Sequence, residues 1–220
     1  TIKSLSGVCI MTGISWLDSG IHLFNYFILV FAIFVMLSYL ILAIISAFSL
    51  KSYLKKNRYL NYGALLALPN IPKVSLIAPA YNEGNTIKEN VQSLLSINYN
   101  NFDVIVVNDG SKDHSVSILM DAFELKKSDM VYHPHVPTKA VRGIYTSSNP
   151  SYSKLIVVDK ENGGKADALN TGINVSGNPY IVCIDVDCIM DKDVLLKLVK
   201  PFMEQSSTRT IATGGVVRIA

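Results

Sequence analysis

The fold is decided by residues 74–109, which read VSLIAPAYNEGNTIKENVQSLLSINYNNFDVIVVND. An apolar run at 74–78 precedes residues 86–97, where Ile, Val and Leu recur at helical spacing, and a second apolar run follows at 104–107. Continuous apolar strands that alternate with amphipathic helices are typical of a parallel sheet covered on both faces. The sequence therefore predicts an α/β fold with a mainly parallel sheet.

The same alternation continues towards the C-terminus. It predicts helices at 113–125, around Ala166–Leu169–Ile173 and at 191–200, and strands at 155–158 and 180–184. Residues 130–153 interrupt the pattern with Pro134, Pro137 and Pro150. This stretch is longer than most connections within a compact domain, so we expect a flap or an excursion over the sheet.

Composition excludes several classes of protein. Half of the 220 residues are hydrophobic and 17% are charged, which excludes a disordered chain. A net charge of +3 without a dense Lys/Arg stripe argues against nucleic acid as a partner. The cysteines, Cys9, Cys183 and Cys188, lack the spacing of zinc ligands, and their odd number argues against a disulfide framework.

The apolar excess is concentrated at residues 23–50, which read LFNYFILVFAIFVMLSYLILAIISAFSL without one charged side chain. About 20 apolar residues suffice for a helix to span the hydrocarbon core of a bilayer. A signal peptide would have a shorter apolar region after a basic stretch, whereas Asp18 precedes this one. We therefore predict a transmembrane helix at 21–50, preceded by an extracytoplasmic segment at 1–20.

The flanks of this run predict its orientation. Lys51, Lys55, Lys56 and Arg58 follow it, whereas Lys3 is the one Lys or Arg before it. The positive-inside rule places everything after Leu50 in the cytoplasm. Residues 51–72 are then a basic juxtamembrane linker in contact with membrane lipid, and the chain is an integral protein of the plasma (inner) membrane.

Polar motifs follow each predicted strand. They are PAYNEG at 79–84, NDGS at 108–111, ENGGK at 161–165 and DVD at 185–187. Ligands of open α/β sheets bind outside the C-terminal ends of the strands. Singly, each motif also has a structural explanation: Glu83 as an acid in a first helical turn, Asp109 as a turn residue, and Lys165 as an exposed lysine. Their convergence on one sheet edge favours a binding site.

Two of these motifs suggest a bound anion and a cation. In an extended chain Asp185 and Asp187 point to the same face, and two neighbouring carboxylates are stabilised by a hard divalent ion such as Mg²⁺ or Mn²⁺. Capping of the next helix is the alternative, although Asp191 or Asp193 is better placed for it. Gly163-Gly164-Lys165 opens a helix, whose free amides favour anions. Its spacing differs from that of a P-loop.

Taken together, VSLIAPAYNEGNTI, VIVVNDGSKD, ENGGKADALNTGI and IVCIDVDCIMDKD resemble, in this order, family 2 glycosyltransferases with the GT-A fold. The resemblance covers residues 73–220 and, with the span before it, is similar to the membrane-embedded processive branch that makes polysaccharides. It implies inverting transfer of a sugar from a nucleoside diphosphate donor, usually a UDP-sugar, to a polysaccharide acceptor.

The resemblance also implies roles for individual residues. Ala80, Tyr81 and Glu83 would line the nucleoside site, Asp109 would contact the uracil or its surroundings, and Lys165 would hold the nucleotide. Asp187 would contact the metal ion directly, and Asp185 would contribute to the metal site or contact the ribose or donor sugar.

The chain departs from the family pattern in one respect. The acidic catalytic base and the Q-x-x-R-W motif of the family are absent, so we expect the base downstream of Ala220 and interpret the chain as the donor-binding half of a longer enzyme. A membrane-tethered nucleotide-sugar sensor or pseudoenzyme is the alternative. A dehydrogenase is disfavoured, because no G-x-G-x-x-G follows the first strand.

Overall fold

A computed structural model of the protein describes residues 2–57, 71–130, 132, 134–203 and 210–215. The chain divides into two compact units, Thr1–Leu60 and Asn61–Ala220. Most of the predicted linker, residues 58–70, lies outside the described residues, as do residues 216–220. The predicted boundaries at 20, 50 and 72 therefore stay predictions.

The first unit contains a single described helix, α1, at Ile2–Asn57. This sequence contains no proline, the residue that most often ends a helix from within. Among the described residues, one stretch, Gly20–Ser52, is long and apolar enough to cross a membrane by length and composition, with a mean hydropathy of 3.1. The predicted span at 21–50 lies inside it.

The second unit is built from alternating strands and helices. Its strands are β1 at Val74–Ala80, β2 at Phe102–Asp109, β3 at Leu125–Lys127, β4 at Val141–Ser147, β5 at Leu155–Lys160 and β6 at Tyr180–Cys183. Its helices are α2 at Ile87–Leu95, α3 at Ser115–Ala122, α4 at Lys165–Val175 and α5 at Val194–Met203. A 3-10 turn at Pro150–Tyr152 precedes β5.

The strands form one sheet in the order β3-β4-β5-β2-β1-β6. The four strands β5, β2, β1 and β6 are parallel, whereas β4 is antiparallel to β5 and β3 is antiparallel to β4. The chain leaves β1 towards β2 on one side, and β6 lies on the other side of β1. The C-terminal ends of β1 and β6 thus flank a topological switch point, where ligands of such sheets bind.

Alternate residues of the strands enter two apolar cores. On one face, Leu76 and Ala78 of β1 pack with Val91 of α2, Leu119 of α3 and Leu195 of α5. On the other face, Ile77 of β1, Ile105 and Val107 of β2 and Val158 of β5 pack with Ala168 of α4. Burial on both faces explains why the central strands read as continuous apolar runs.

The predicted α/β class and the mainly parallel sheet are confirmed. Two elements were not predicted: the predicted helix 113–125 ends at Ala122, so that Leu125 begins β3, and the predicted excursion 130–153 contains strand β4. The predicted strand at 180–184 was expected to be covered on both faces like the others, and this was wrong. Within the described residues β6 is the edge of the sheet, with Ile181 and Cys183 exposed.

Candidate active site

A cavity of about 260 Å³ lies at the C-terminal ends of β1, β2 and β6 and the start of α4. All seven predicted site residues line it, together with Pro79 and Val186; the seven are Ala80, Tyr81, Glu83, Asp109, Lys165, Asp185 and Asp187. A larger cleft of about 440 Å³ is formed by residues between 132 and 141, and none of the seven lines it. The sheet thus gathers residues distant in sequence at its switch point.

The loop after β1 is fixed to the loop after β2 by side chain–backbone hydrogen bonds. The backbone amide of Asn82 donates to Ser111 Oγ at 2.9 Å, and the backbone amide of Lys112 donates to the side-chain oxygen Oδ1 of Asn82 at 2.9 Å. Asn82 has φ of 57°, in the left-handed region that Asn tolerates better than most residues. The Gly84 amide donates to Asp113 Oδ2 at 2.9 Å. These hydrogen bonds therefore hold in place the loop that contains Tyr81 and Glu83.

Asp113 also closes the start of α3, since its Oδ1 accepts from the amide and hydroxyl of Ser115 at 3.0 and 2.6 Å. Burial raises the pKa of the Asp113 carboxyl, but the hydrogen bonds from Ser115 and Gly84 together lower it by more, so that its pKa lies below the ordinary value. This carboxylate stays ionised and joins the two loops.

Asp109 ends β2 and is nearly buried, with 4% of its surface exposed. Its carboxylate accepts hydrogen bonds from the Gly163 amide at 2.9 Å and from the Gly164 amide at 2.7 Å. The amides of the glycine pair that precedes α4 are thus already bonded to an anion of the protein, because Asp109 lies directly beside them.

Asp185 and Asp187 lie beyond β6, which ends at Cys183, and not on an extended strand as predicted. They belong to a turn in which the Cys188 amide donates to the Asp185 carbonyl at 3.1 Å. Val186 between them is 2% exposed and packs in the core, whereas both aspartates are exposed. The two carboxylates therefore face the cavity edge because Val186 anchors the turn.

The charges of this turn are close together. One ligand atom each from Asp185, Asp187 and Cys188 lies within 4.8 Å of the others. The Lys165 ammonium forms an ion pair with Asp185 Oδ1, and this hydrogen bond and charge raise the pKa of Lys165. The oxygens of the two carboxylates are ligands of the type that hard divalent ions prefer.

Sequence reasoning missed three residues that surround Asp109. Lys160 Nζ lies 2.7 Å from Asp109 Oδ1 and 2.6 Å from Asp167 Oδ2, and Asn162 Nδ2 donates to the Asp109 carbonyl at 2.8 Å. One signal was present in the sequence: Asp159 and Lys160 end a strand whose first four residues are apolar, and a charged residue at the end of such a strand needs a partner when it is buried. The partner itself could be named only once the register paired Lys160 with Asp109.

Residues 75–136 and 137–216 match the family model for glycosyl transferase family 2. The chain belongs to this family. The membership predicted from the four motifs is thus confirmed, and the six-stranded, mostly parallel sheet agrees with the expected GT-A fold.

Relatives of this glycosyltransferase chain include synthases of one polysaccharide. The poly-beta-1,6-N-acetyl-D-glucosamine synthase of Staphylococcus epidermidis is 29% identical over 130 residues, which are 59% of this chain and 25% of that protein. The synthase of Staphylococcus aureus strain MSSA476 is 27% identical over 130 residues, which are again 59% of this chain and 25% of that protein. The matched region spans about a quarter of these relatives.

Among solved structures, the mannosyltransferase PcManGT from Pyrobaculum calidifontis, in complex with GDP-Man and Mn²⁺, is similar at a TM-score of 0.47. It is 24% identical, and the match covers 66% of this chain and 38% of that one.

Proposed function

We propose that this chain is the donor-binding part of a membrane-anchored, inverting glycosyltransferase that takes sugar from a UDP-sugar and extends a polysaccharide on the cytoplasmic side. The observation that carries the proposal is the cavity at the β1/β6 switch point, where Tyr81, Lys165, Asp185 and Asp187 converge. Family membership supports the reaction type. The polysaccharide synthases among its relatives support the class of acceptor.

Within this proposal the nucleoside lies against the loop after β1. Tyr81 is 45% exposed at the cavity wall and offers a ring face on which a base can stack. Glu83 is half-buried on the same loop and can accept hydrogen bonds from ribose hydroxyls. Ala80 has a short side chain that leaves room for the base. Asp109 lines the bottom of the cavity, and its carboxylate stays hydrogen-bonded to the Gly163 and Gly164 amides.

The diphosphate lies between Lys165 and the two aspartates. The Lys165 ammonium can donate to phosphate oxygens while it remains near Asp185. Asp185 and Asp187 would hold Mg²⁺ or Mn²⁺, with Asp187 in direct contact, because their oxygens fit a hard cation. When bound, the ion supplies Lewis-acid stabilisation of the departing diphosphate. Without a cation, the two carboxylates would repel the phosphates.

Metal-dependent binding of UDP tests this arrangement. We expect UDP to bind at least about tenfold more tightly when Mn²⁺ or Mg²⁺ is present. Asp187→Asn keeps the size of the side chain but removes its charge, and should abolish most of this gain. Asp191→Asn is the matched control, because Asp191 pairs with Lys197 outside the cavity.

Isothermal titration of UDP into the full chain in detergent, with and without metal, measures all three affinities. Metal dependence that survives in Asp187→Asn and disappears in Asp191→Asn would show that the cation binds elsewhere. Failure of the unmodified chain to bind UDP under any condition would overturn the donor-site proposal itself.

A further inference from the structure

Lys160 is a charged residue with no exposed surface. Its ammonium lies 2.7 Å from Asp109 Oδ1, 2.6 Å from Asp167 Oδ2 and 2.5 Å from the Glu161 carbonyl oxygen. An ammonium carries three protons, so each has an acceptor. Removing a charge from water is costly unless it is fully paired, and here the pairing is complete. The free-energy cost of burying the Lys160 ammonium suggests that it has a role at the end of this strand, beside the cavity.

The partners of Lys160 connect it to the loop that precedes Lys165. Asp109 accepts from the amides of Gly163 and Gly164, and Asp167 lies in the first turn of α4. Lys160 therefore ties the end of β2 and the start of α4 to the end of β5. Lys165, the proposed phosphate ligand, stands between the glycine pair and Asp167.

Packing does not hold this loop in place at Gly164. A Cβ built on Gly164 would meet nothing within 4 Å, and φ of +87° gives the residue a conformation that glycine adopts readily. The Gly164 amide donates to Asp109 Oδ2, and the Gly164 carbonyl accepts from the Ala168 amide of α4 at 3.0 Å. Asn162 Nδ2 also donates to the Asp109 carbonyl, and the Glu161 amide donates to the Ala140 carbonyl. The Asp109 carboxylate therefore fixes the glycine pair at the end of this loop, and Lys160 is the cation paired with that carboxylate.

Lys160 and Asp167 carry opposite charges. Burial lowers the pKa of the Lys160 ammonium, but the hydrogen bonds and charges of Asp109 and Asp167 together raise it by more, so that the net shift is upward. Burial raises the pKa of Asp167, and the hydrogen bonds and charges of Lys160 and Lys139 lower it by more. Lys160 and Asp167 are therefore an ion pair at neutral pH.

We propose that Lys160 is a positioning residue for the sugar-nucleotide donor: through Asp109 and the Gly163-Gly164 amides it holds the loop that places Lys165 at the diphosphate. This role rests on the donor site proposed above. Lys160 has no exposed surface and touches no ligand itself. Its loss should therefore weaken the contribution of the diphosphate to binding and leave the contribution of the nucleoside nearly intact.

The first test compares UDP with uridine, which lacks the diphosphate. In Lys160→Met, UDP affinity should fall at least about tenfold while uridine affinity stays within about twofold. The matched control is Lys154→Met at the other end of β5, where Lys154 Nζ donates to the Tyr99 carbonyl and lies over the Phe102 ring. That variant should change neither affinity by more than about twofold.

The second test uses the fact that coupled residues are not additive. In a Lys165→Ala background, Lys160→Met should cause no further loss of UDP affinity, because the residue that it positions is already absent. A merely structural role would add the same loss in both backgrounds. In hydrogen exchange, the Gly163 and Gly164 amides should lose protection in Lys160→Met and keep it in Lys154→Met.

Lys160→Met leaves two carboxylates without their cation, so a second variant guards against a failure to fold. The double variant Lys160→Met/Asp167→Asn removes one positive and one negative charge, so the net charge of the cluster is unchanged, and Asp167 does not line the cavity. It should show the same selective loss of UDP affinity. Unmodified UDP affinity in either folded variant, or equal losses for UDP and uridine, would overturn the positioning role. Absence of UDP binding in the unmodified chain would instead overturn the donor site.

Discussion

At the scale of single residues, the Lys165 ammonium and a divalent ion would compete for the carboxylate of Asp185. Asp185 pairs with the Lys165 ammonium, and it is also one of the two carboxylates that would hold a divalent ion. An ammonium and a metal ion at the same carboxylate compete, because each places positive charge on the same oxygens. Lys165 should therefore oppose metal binding in the absence of nucleotide and favour nucleotide binding.

This competition gives a prediction with opposite signs. Lys165→Ala should strengthen Mn²⁺ binding measured without nucleotide by about threefold, the modest effect expected for an exposed ion pair. The same variant should weaken UDP binding, because a phosphate donor is lost. Titration of free Mn²⁺ by electron paramagnetic resonance, and of UDP by calorimetry, measures both.

Lys197→Ala is the control for this pair, since Lys197 contacts Asp191 outside the cavity. It should change neither affinity. Weaker Mn²⁺ binding in Lys165→Ala would mean that Lys165 supports the metal site, contrary to the competition argued here.

Residue patterns predicted the members of the cavity better than their local geometry. The strand-end motifs pointed to five of the seven, Glu83, Asp109, Lys165, Asp185 and Asp187, because polar groups at the ends of parallel strands meet at one edge. The other two, Ala80 and Tyr81, came from the resemblance to family 2 glycosyltransferases. The motifs did not predict that Asp109 bonds the Gly163 and Gly164 amides, since this depends on the register of β2 against β5. Register between strands distant in sequence is a tertiary property that local spacing does not encode.

At the scale of elements, the sequence pattern found the buried strands β1, β2 and β5 and the apolar edge strand β6, and it missed β3 and β4. β3 has one buried residue, Leu125, followed by two exposed lysines. β4 contains Arg142 and Gly143 and an irregular register at Val141/Gly143, so its alternation is broken. Such strands are defined by their neighbours, which a single-sequence pattern does not contain.

Helix α4 approaches the sheet more closely than a side chain would allow. A Cβ at Gly172 would lie 2.2 Å from Ile77 Cγ2, and Ile77 is stiff because it is β-branched and fully buried. Gly172→Ala should destabilise the fold by a net ~1–2 kcal/mol, since overpacking costs ~1–3 kcal/mol and the gain in helix propensity offsets up to ~1 kcal/mol. Thermal unfolding followed by near-UV circular dichroism should show a fall of about 2–8 °C.

Gly177→Ala is the matched control for this prediction. Gly177 follows α4, a Cβ added to it would meet nothing within 4 Å, and its φ is not positive. Its substitution should change stability by less than about 0.5 kcal/mol. Equal stability of the two variants would indicate that α4 shifts away from β1 at little cost.

At the scale of the whole molecule, sheet order decides where the site lies. β6 pairs with β1, although more than half of the second unit separates them in sequence, and this pairing brings the Asp185–Asp187 turn beside the loop after β1. The sequence predicted that the strands are parallel but not their order. Several orders bury the same apolar runs, and long-range pairing selects among them.

The other feature at this scale is helix α1. Its apolar side chains between residues 20 and 52 are almost all exposed, and a continuous apolar surface of this length is costly in water. The hydrocarbon core of a bilayer covers such a surface. It also tolerates a helix, because the backbone N–H and C=O groups of a helix are hydrogen-bonded within the helix itself. We therefore retain the prediction that residues 21–50 span a membrane, and the charges that flank them predict which end lies in the cytoplasm.

A reporter fused after Lys56 tests this orientation. The three basic residues between Leu50 and the junction, Lys51, Lys55 and Lys56, should keep it cytoplasmic, because Lys and Arg close to a span resist translocation. The matched variant reverses the charge bias: Lys51, Lys55 and Lys56 become Gln, and Asp18 and Ser19 become Lys. In that variant a substantial share of molecules should report from the opposite side. Extracytoplasmic reporting by the unmodified chain would separate the cavity from cytosolic UDP-sugars and would contradict both the topology and the proposed reaction.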